Sequence, residues 1–270
     1  MLSRVIGNLM IKHNDWRYPF SLMGDTLANA DLTFGNLENP ISSRGTKVGS
    51  IYSFRADPRS VEGLLAAGFD VLSVANNHIW DYGRDAFQDT LKILTDNGIT
   101  LVGGGESLEA AHAPRVREVK GAKIAFLAYT NLLPASLNQF VADPSEAAVA
   151  RDVETARKVA DIVVASFHWG EEYETKHNAY QERLAHLAID AGADLVVGHH
   201  PHVAQEMEPY HGGHIAYSLG NFVFDQNFSP DTREGLLLEV KLKDKKITSV
   251  TPRRVEFTPT YQPFIQSGSL

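Results

Sequence analysis

Asp194-Leu195-Val196-Val197-Gly198-His199-His200-Pro201-His202-Val203 is the stretch on which the fold of this chain turns. Its first half is a short apolar run closed by glycine, the pattern of a buried strand, so the histidines fall on the loop at that strand's C-terminal end. Open α/β sheets keep their ligand sites at such ends. Two imidazoles one residue apart, stiffened by a proline of fixed φ, can aim two nitrogens at one small volume, and neutral imidazole is the commonest metal ligand. Taken alone, a His-x-His pair is equally at home on a solvated loop.

Working outward, three more apolar runs end in polar clusters. A strand over 161–167 opens onto His168-Trp169-Gly170-Glu171-Glu172-Tyr173. One over 69–75 opens onto Asn76-Asn77-His78-Ile79-Trp80-Asp81-Tyr82-Gly83, where an amide oxygen can ligate, His78 can act as an acid and Asp81 can orient it through its second nitrogen. A strand over 31–35 is followed by Asn36-Leu37-Glu38-Asn39-Pro40, which reads as an oxygen-ligand site or as a turn. The Asn76 cluster likewise reads as a site or as a strand-to-helix turn. If the sheet is parallel or mixed, the four ends share one edge and Glu38, Asn77, His78, His168, His200 and His202 converge. Such convergence favours a metal site over four unrelated loops.

Helices are predicted over 61–67, 84–97, 145–160 and 180–191, and a helical stretch runs through 20–23 and 27–28. A short strand is predicted over 99–102, a hairpin over 116–119 and 123–129 around Lys120-Gly121, a strand over 215–219, and antiparallel strands over 236–242 and 247–257 before a polar tail. The run Gly103-Gly104-Gly105 lacks nucleotide-loop spacing and reads as a turn. With no repeat, low-complexity tract or linker, βα units followed by antiparallel strands suggest one layered α/β domain over 1–270.

Composition removes several function classes. The chain has no cysteine, which excludes disulfides, thiolate zinc sites and cysteine nucleophiles and leaves His, Asn, Asp and Glu as metal ligands. A net charge of −8 without a long basic run argues against nucleic acid or an anionic membrane surface as partner. A bound divalent cation would then be the attractor for an anionic substrate. No run approaches the ~20 apolar residues of a membrane span, and no secretory leader is legible at the start, so the chain reads as soluble and unexported.

The motifs Asn36-Leu37-Glu38, Asn76-Asn77-His78 with Asp81 and Gly83, His168-Trp169-Gly170 with Glu172, Gly198-His199-His200-Pro201-His202 and Tyr217-Ser218-Leu219-Gly220-Asn221-Phe222 together resemble, in order, those of the CapA-like poly-γ-glutamate capsule synthesis family, within the calcineurin-like metallophosphatase superfamily. The resemblance implies a four-layer α/β/β/α sandwich with mixed sheets and a two-metal site. It implies that Glu38 bridges the metals, that Asn77, His168 and His200 complete one shell, and that His202 serves the other. His78 would be the acid with Asp81 behind it, and Arg4, Glu172, His199 and Asn221 are candidates on the substrate side. Family members open with a strand and an aspartate ligand, and Met1-Leu2-Ser3-Arg4 resembles the tail of that motif. The expectation is therefore a chain that lacks the first strand and that ligand, with one metal held firmly and the second weakly. Gly24-Asp25, within the helical stretch, is not expected to substitute.

With N and O ligands, manganese, zinc or iron suits the site. The activity implied is metal-dependent hydrolysis of a phosphoester or an anionic γ-glutamyl polymer. The alternative is a non-catalytic component of a capsule-synthesis or export complex. Cytoplasmic placement is the default, with an extracytoplasmic, membrane-anchored protein as the alternative.

Overall fold

Buried strands that pair in parallel need apolar side chains on both faces, and the four apolar runs do assemble that way. In the computed structural model, which describes residues 1–49 and 51–266, β1 (Phe34–Asn36), β2 (Val71–Ser73) and β3 (Thr100–Val102) form a parallel sheet in the order β1-β2-β3. The second sheet has six strands: β4 (Arg115–Val119), β5 (Ala122–Thr130), β6 (Ile162–His168), β7 (Leu195–His199), β8 (Met207–Tyr210) and β9 (Gly213–Ala216). Its order is β4-β5-β6-β7-β9-β8, parallel from β5 to β9 with an antiparallel strand at each edge. A third sheet of β10 (Glu234–Lys243), β11 (Lys246–Phe257) and β12 (Pro263–Ile265) is antiparallel.

Seven α-helices accompany them among the described residues: α1 (Arg4–His13), α2 (Gly24–Ala28), α3 (Ser60–Ala66), α4 (Gly83–Asp96), α5 (Leu108–His112), α6 (Glu146–Arg157) and α7 (Ala179–Asp190). The period of two along the strands sorts the core into layers. Ala125, Leu127, Val163, Ala165 and Val196 face Val149 and Val153 of α6 and Leu184 and Ala188 of α7. The alternate residues Ile124, Phe126, Ile162, Val164, Leu195 and Val197 share the other cluster with Leu72, with Leu64 of α3 and with Leu91 and Leu94 of α4. The expected α/β/β/α sandwich with mixed sheets is therefore present. Leu237, Leu238 and Val240 of the third sheet pack against the same inner cluster.

The four polar clusters follow β1, β2, β6 and β7, so both sheets deliver them to one edge. The Lys120-Gly121 hairpin also forms, both residues taking the positive φ (48° and 80°) that a two-residue β-turn between twisted strands demands.

Several local expectations need correction. A helix the sequence reading missed, α1, starts at Arg4, burying Ile6 and Met10 one turn apart and ending at Asn14 in a left-handed conformation. The stretch read as helical through 20–28 is a 3-10 turn at Tyr18–Phe20 followed by the short α2, and Asp25 is exposed there, away from any strand end. The strand placed at 215–219 ends at Ala216, because Leu219 turns away to pair with Ala204. Met207–Tyr210 was not anticipated: it is an edge strand interrupted by Pro209, which blurs the β pattern. Part of the polar tail is a strand, Pro263–Ile265, and residues 267–270 lie outside the described residues.

Candidate metal centre

Period two also fixes where the histidines point. His168 continues the inner face of β6 set by Ile162 and Val164, and His199 continues the face of β7 set by Leu195 and Val197. Beyond His199 the backbone leaves the strand sharply. His200 and His202 both have positive φ, 98° and 58°, a costly conformation for non-glycine residues that is found where surrounding structure holds a functional geometry. Gly198 permits the departure: a Cβ there would stand 1.8 Å from the Tyr217 carbonyl oxygen and 2.7 Å from Trp169 Nε1.

Around this loop the expected ligands come together. Glu38 is 6% exposed, and its Oε1 lies 3.5 Å from His202 Nε2 and 4.0 Å from His168 Nε2. His168 Nε2 is 2.8 Å from Asn77 Oδ1. The rings of His168 and His200 are 5.0 Å apart, and those of His200 and His202 are 6.0 Å apart. Asn76 holds the group in register by donating to Leu37 O and Asn36 Oδ1. That leaves the Asn36 amide nitrogen to face Glu38 Oε2 at 3.2 Å and His168 Nδ1 at 3.4 Å. The sequence places Asn36 in a possible oxygen-ligand site and Asn76 beside the candidate ligand Asn77; the structure gives both a holding role, through hydrogen bonds to the ligands and to each other.

Asn221, carried as a substrate-side candidate, acts on His202. Its Nδ2 donates to Thr232 O and Gln226 Oε1, so its Oδ1 must accept from His202 Nδ1 at 3.0 Å. That fixes the proton on Nδ1 and leaves Nε2 as a lone pair aimed at Glu38, the tautomer a metal ligand requires. Glu172 also finds a place here: donor atoms of Glu172, His200 and His202 lie within 4.8 Å of one another. The link is the hydrogen bond from Tyr173 N to Pro201 O, which lays the β6 loop over the histidine loop. No spacing in the sequence foretells that contact.

The donor set behaves as metal ligands would. Glu38 Oε1 and His200 Nδ1 are buried without a hydrogen-bond partner, a costly state unless something accepts their lone pairs. Burial, together with the neighbouring imidazoles His200, His199, His202 and His78, holds His168 well below the usual histidine pKa. His200 is pulled down to about 3 by burial and by His202 and His78. Imidazoles kept neutral at pH 7 in contact with a buried carboxylate suit a divalent cation. His199, buried enough to hold its pKa at about 4, lies on the inner face of β7 with its ring 6.5 Å from that of Phe34.

Beside the cluster, His78 Nδ1 meets Asp81 Oδ2 at 2.9 Å, and the same oxygen accepts from Phe54 N at 2.7 Å. The ring of Phe54 covers His78 at 4.2 Å, and the Arg4 guanidinium stacks over Phe54 at 5.2 Å. Arg4 is an exposed residue anchored by the buried Asp225, which accepts from Arg4 Nε and from Val5 N. Neither Phe54 nor Asp225 had been given a role, since neither stands in a pattern of chemistry-bearing residues.

The model of the bacterial capsule synthesis protein PGA_cap matches residues 1–226. The chain belongs to this family. Among curated relatives it is similar to a capsule biosynthesis protein CapA of Bacillus anthracis, 35% identical over 254 residues, with 88% of this chain and 62% of the relative aligned. A PGA biosynthesis protein CapA of Bacillus subtilis is 38% identical over 231 residues, covering 79% of this chain and 58% of the relative. The chain thus spans about three fifths of the length of these relatives.

Among solved structures, a hypothetical protein from Thermus thermophilus superposes with a TM-score of 0.59 at 19% identity, covering 86% of this chain and 90% of that one. A phosphatase from Mycoplasma pneumoniae superposes with a TM-score of 0.55 at 16% identity, covering 94% and 87%. These likenesses show a shared fold and nothing beyond it. No helix among the described residues is long and apolar enough to cross a membrane.

Proposed function

We propose that this PGA_cap-family chain is a metal-dependent hydrolase acting on an anionic substrate, either the γ-glutamyl polymer of capsule synthesis or a phosphoester. The observation that carries the reading is the hydrogen-bonded His78–Asp81 pair set beside the buried Glu38/His168/His200/His202 cluster, in which Glu38 Oε1 and His200 Nδ1 have no hydrogen-bond partner. A structural protein has no need of an oriented acid there.

In this reading Glu38, Asn77, His168 and His200 would hold one ion, and Glu38 and His202 would hold a second, with Glu172 near enough to join it. The bound metals would supply an activated water and neutralise charge on the reacting oxygens. The side chains do the rest. Asp81, fixed by the Phe54 amide, keeps the Nδ1 proton of His78 in place, so the second proton of the imidazolium sits on Nε2, from which it can pass to a departing oxygen and leave the ring neutral. Asn221 keeps His202 in the ligating tautomer. Arg4, braced by Asp225 and Phe54, presents a cation at the rim for an anionic group.

A second reading keeps the cluster but not the turnover, making the chain a component of a capsule-synthesis assembly; the relatives' names, which speak of biosynthesis, favour it. The deciding assay compares His78→Ala with the parent for metal content and for hydrolysis of bis-p-nitrophenyl phosphate and of γ-linked polyglutamate. Retained metal with turnover reduced by about 10²–10⁴ supports the hydrolase. Equal turnover in the variant, or none on either substrate in the metal-replete parent, transfers the assignment to the assembly component.

A further inference from the structure

Glu172 reaches His200 and His202 from a run of exposed residues, Glu171-Glu172-Tyr173-Glu174, that offers three carboxylates. Which of the three meets the histidines depends on the path of the backbone, and that path is constrained. Gly170 takes φ +82°, and a Cβ there would stand 2.9 Å from the Gln181 side chain. Tyr173 takes φ +68°, a strained conformation for an aromatic residue that persists only where the surrounding structure imposes it.

A chain of buried amides does the imposing. Asn178 N donates to Gln181 Oε1 at 3.0 Å, Gln181 Nε2 donates to Gln205 Oε1 at 2.9 Å, and Gln205 Nε2 donates to Glu174 O at 2.8 Å. Both glutamines are buried, Gln181 1% and Gln205 5% exposed. The three bonds run in one direction, so each polarises the next, and turning either amide over would break two of them. One end is rooted in a helix, since Asn178 and Gln181 form the capping box of α7. The other end is tied to the histidine loop: Gln205 stands three residues after His202, and its own N donates to Ser218 O at 3.0 Å. Tyr173 N, donating to Pro201 O at 2.7 Å, pins the same span from its other side.

We propose, on the metal centre of the preceding reading, that Gln205 is a positioning residue: by holding Glu174 O it fixes the strained turn at Tyr173 and delivers the Glu172 carboxylate, in place of Glu171 or Glu174, to His200 and His202 for a divalent cation. Gln205 itself touches neither ion nor substrate. Its contribution is preorganisation. An exposed glutamate on a loose loop would have to give up backbone and side-chain freedom when an ion binds, and here the backbone freedom is already lost on folding.

The test is a double-mutant cycle on the full chain: parent, Gln205→Met, Glu172→Gln and the double variant, all treated with chelator and titrated with Mn2+, free ion being read by its EPR signal. Gln205→Met keeps the bulk of the side chain and removes both of its bonds. In the parent background it is expected to weaken Mn2+ binding by about 10–100-fold. In the Glu172→Gln background, where the carboxylate it positions is gone, it should change binding by no more than about twofold. Equal losses in both backgrounds would mean that Gln205 supports the fold and not Glu172, which overturns the proposal. Unchanged affinity in Gln205→Met or in Glu172→Gln overturns it as well, and a parent that takes up no Mn2+ overturns it together with the metal centre. Should Gln205→Met fail to fold, hydrogen exchange in the metal-free parent decides. The Tyr173 amide is expected to be protected before any ion is added. Free exchange until Mn2+ is supplied would show that the ion and not the amide chain places the loop, which is the contrary result. Turnover enters no arm, so a chain that binds Mn2+ and hydrolyses nothing fails the hydrolase reading alone.

Discussion

Replacing Glu38 by Gln should make the metal-free protein more stable while abolishing its capacity for metal. The side chain is 6% exposed, and Oε1 has no hydrogen-bond partner. His202 Nε2 lies 3.5 Å away, and in the neutral ring that Asn221 orients it carries a lone pair, so two acceptors face each other in a buried site. Glutamine keeps the shape. Its oxygen can accept from Asn36 Nδ2 as Glu38 Oε2 does, and its NH2 can donate to His202. An orphaned buried polar group costs about 1–3 kcal/mol, which is the gain expected from satisfying it. For a chain of this size the midpoint should rise by roughly 2–10 °C. The assay is urea and thermal unfolding of chelator-treated parent and variant, with metal per chain measured after reloading. A variant less stable than the parent by more than about 1 kcal/mol would mean that Glu38 is already satisfied by a proton shared with His202. Undiminished metal in the variant would remove Glu38 from the ligand set.

Three further predictions use the same geometry. Asn221→Ala frees the His202 ring and should weaken metal binding by about 10–100-fold with the fold intact, read by competition with a chromogenic chelator; unchanged affinity refutes the tautomer argument. Gly198→Ala must move backbone, since the Tyr217 carbonyl offers no rotamer by which to yield, and should cost about 1–3 kcal/mol or more, whereas Gly49→Ala, with nothing within 4 Å, should cost little. In the metal-free protein, His199 and His200 have folded pKa values of about 4 and about 3 against about 6.5 unfolded. The unfolded chain then binds protons first, so stability is complete above about pH 6.5 and falls by roughly 1.4 kcal/mol per pH unit for each imidazole as pH drops toward 4. Equal urea midpoints at pH 7 and pH 5 would contradict this.

Much of this molecule could be read from its sequence because buried parallel strands write themselves as apolar runs. The runs ending at Asn36, Asn76, His168 and His199 announced both the α/β class and the shared edge on which Glu38, Asn77, His78, His168, His200 and His202 meet. The His78–Asp81 pair was equally legible, three residues apart on one turn. Short edge elements were not: Met207–Tyr210 and Pro263–Ile265 are strands only because a neighbour pairs with them. The direction of each imidazole also belongs to tertiary structure. His199 and His200 are adjacent in sequence, yet the strand's period and the positive φ of His200 set one ring by Phe34 and the other by His168 and His202. Glu172 joins the histidines only through the Tyr173–Pro201 bond, and Asn221 selects a tautomer only because Thr232 orients its amide. Apolar periodicity is local and survives in the sequence. Which polar atom meets which is set by loops closing across separate strands, and only the folded chain decides that.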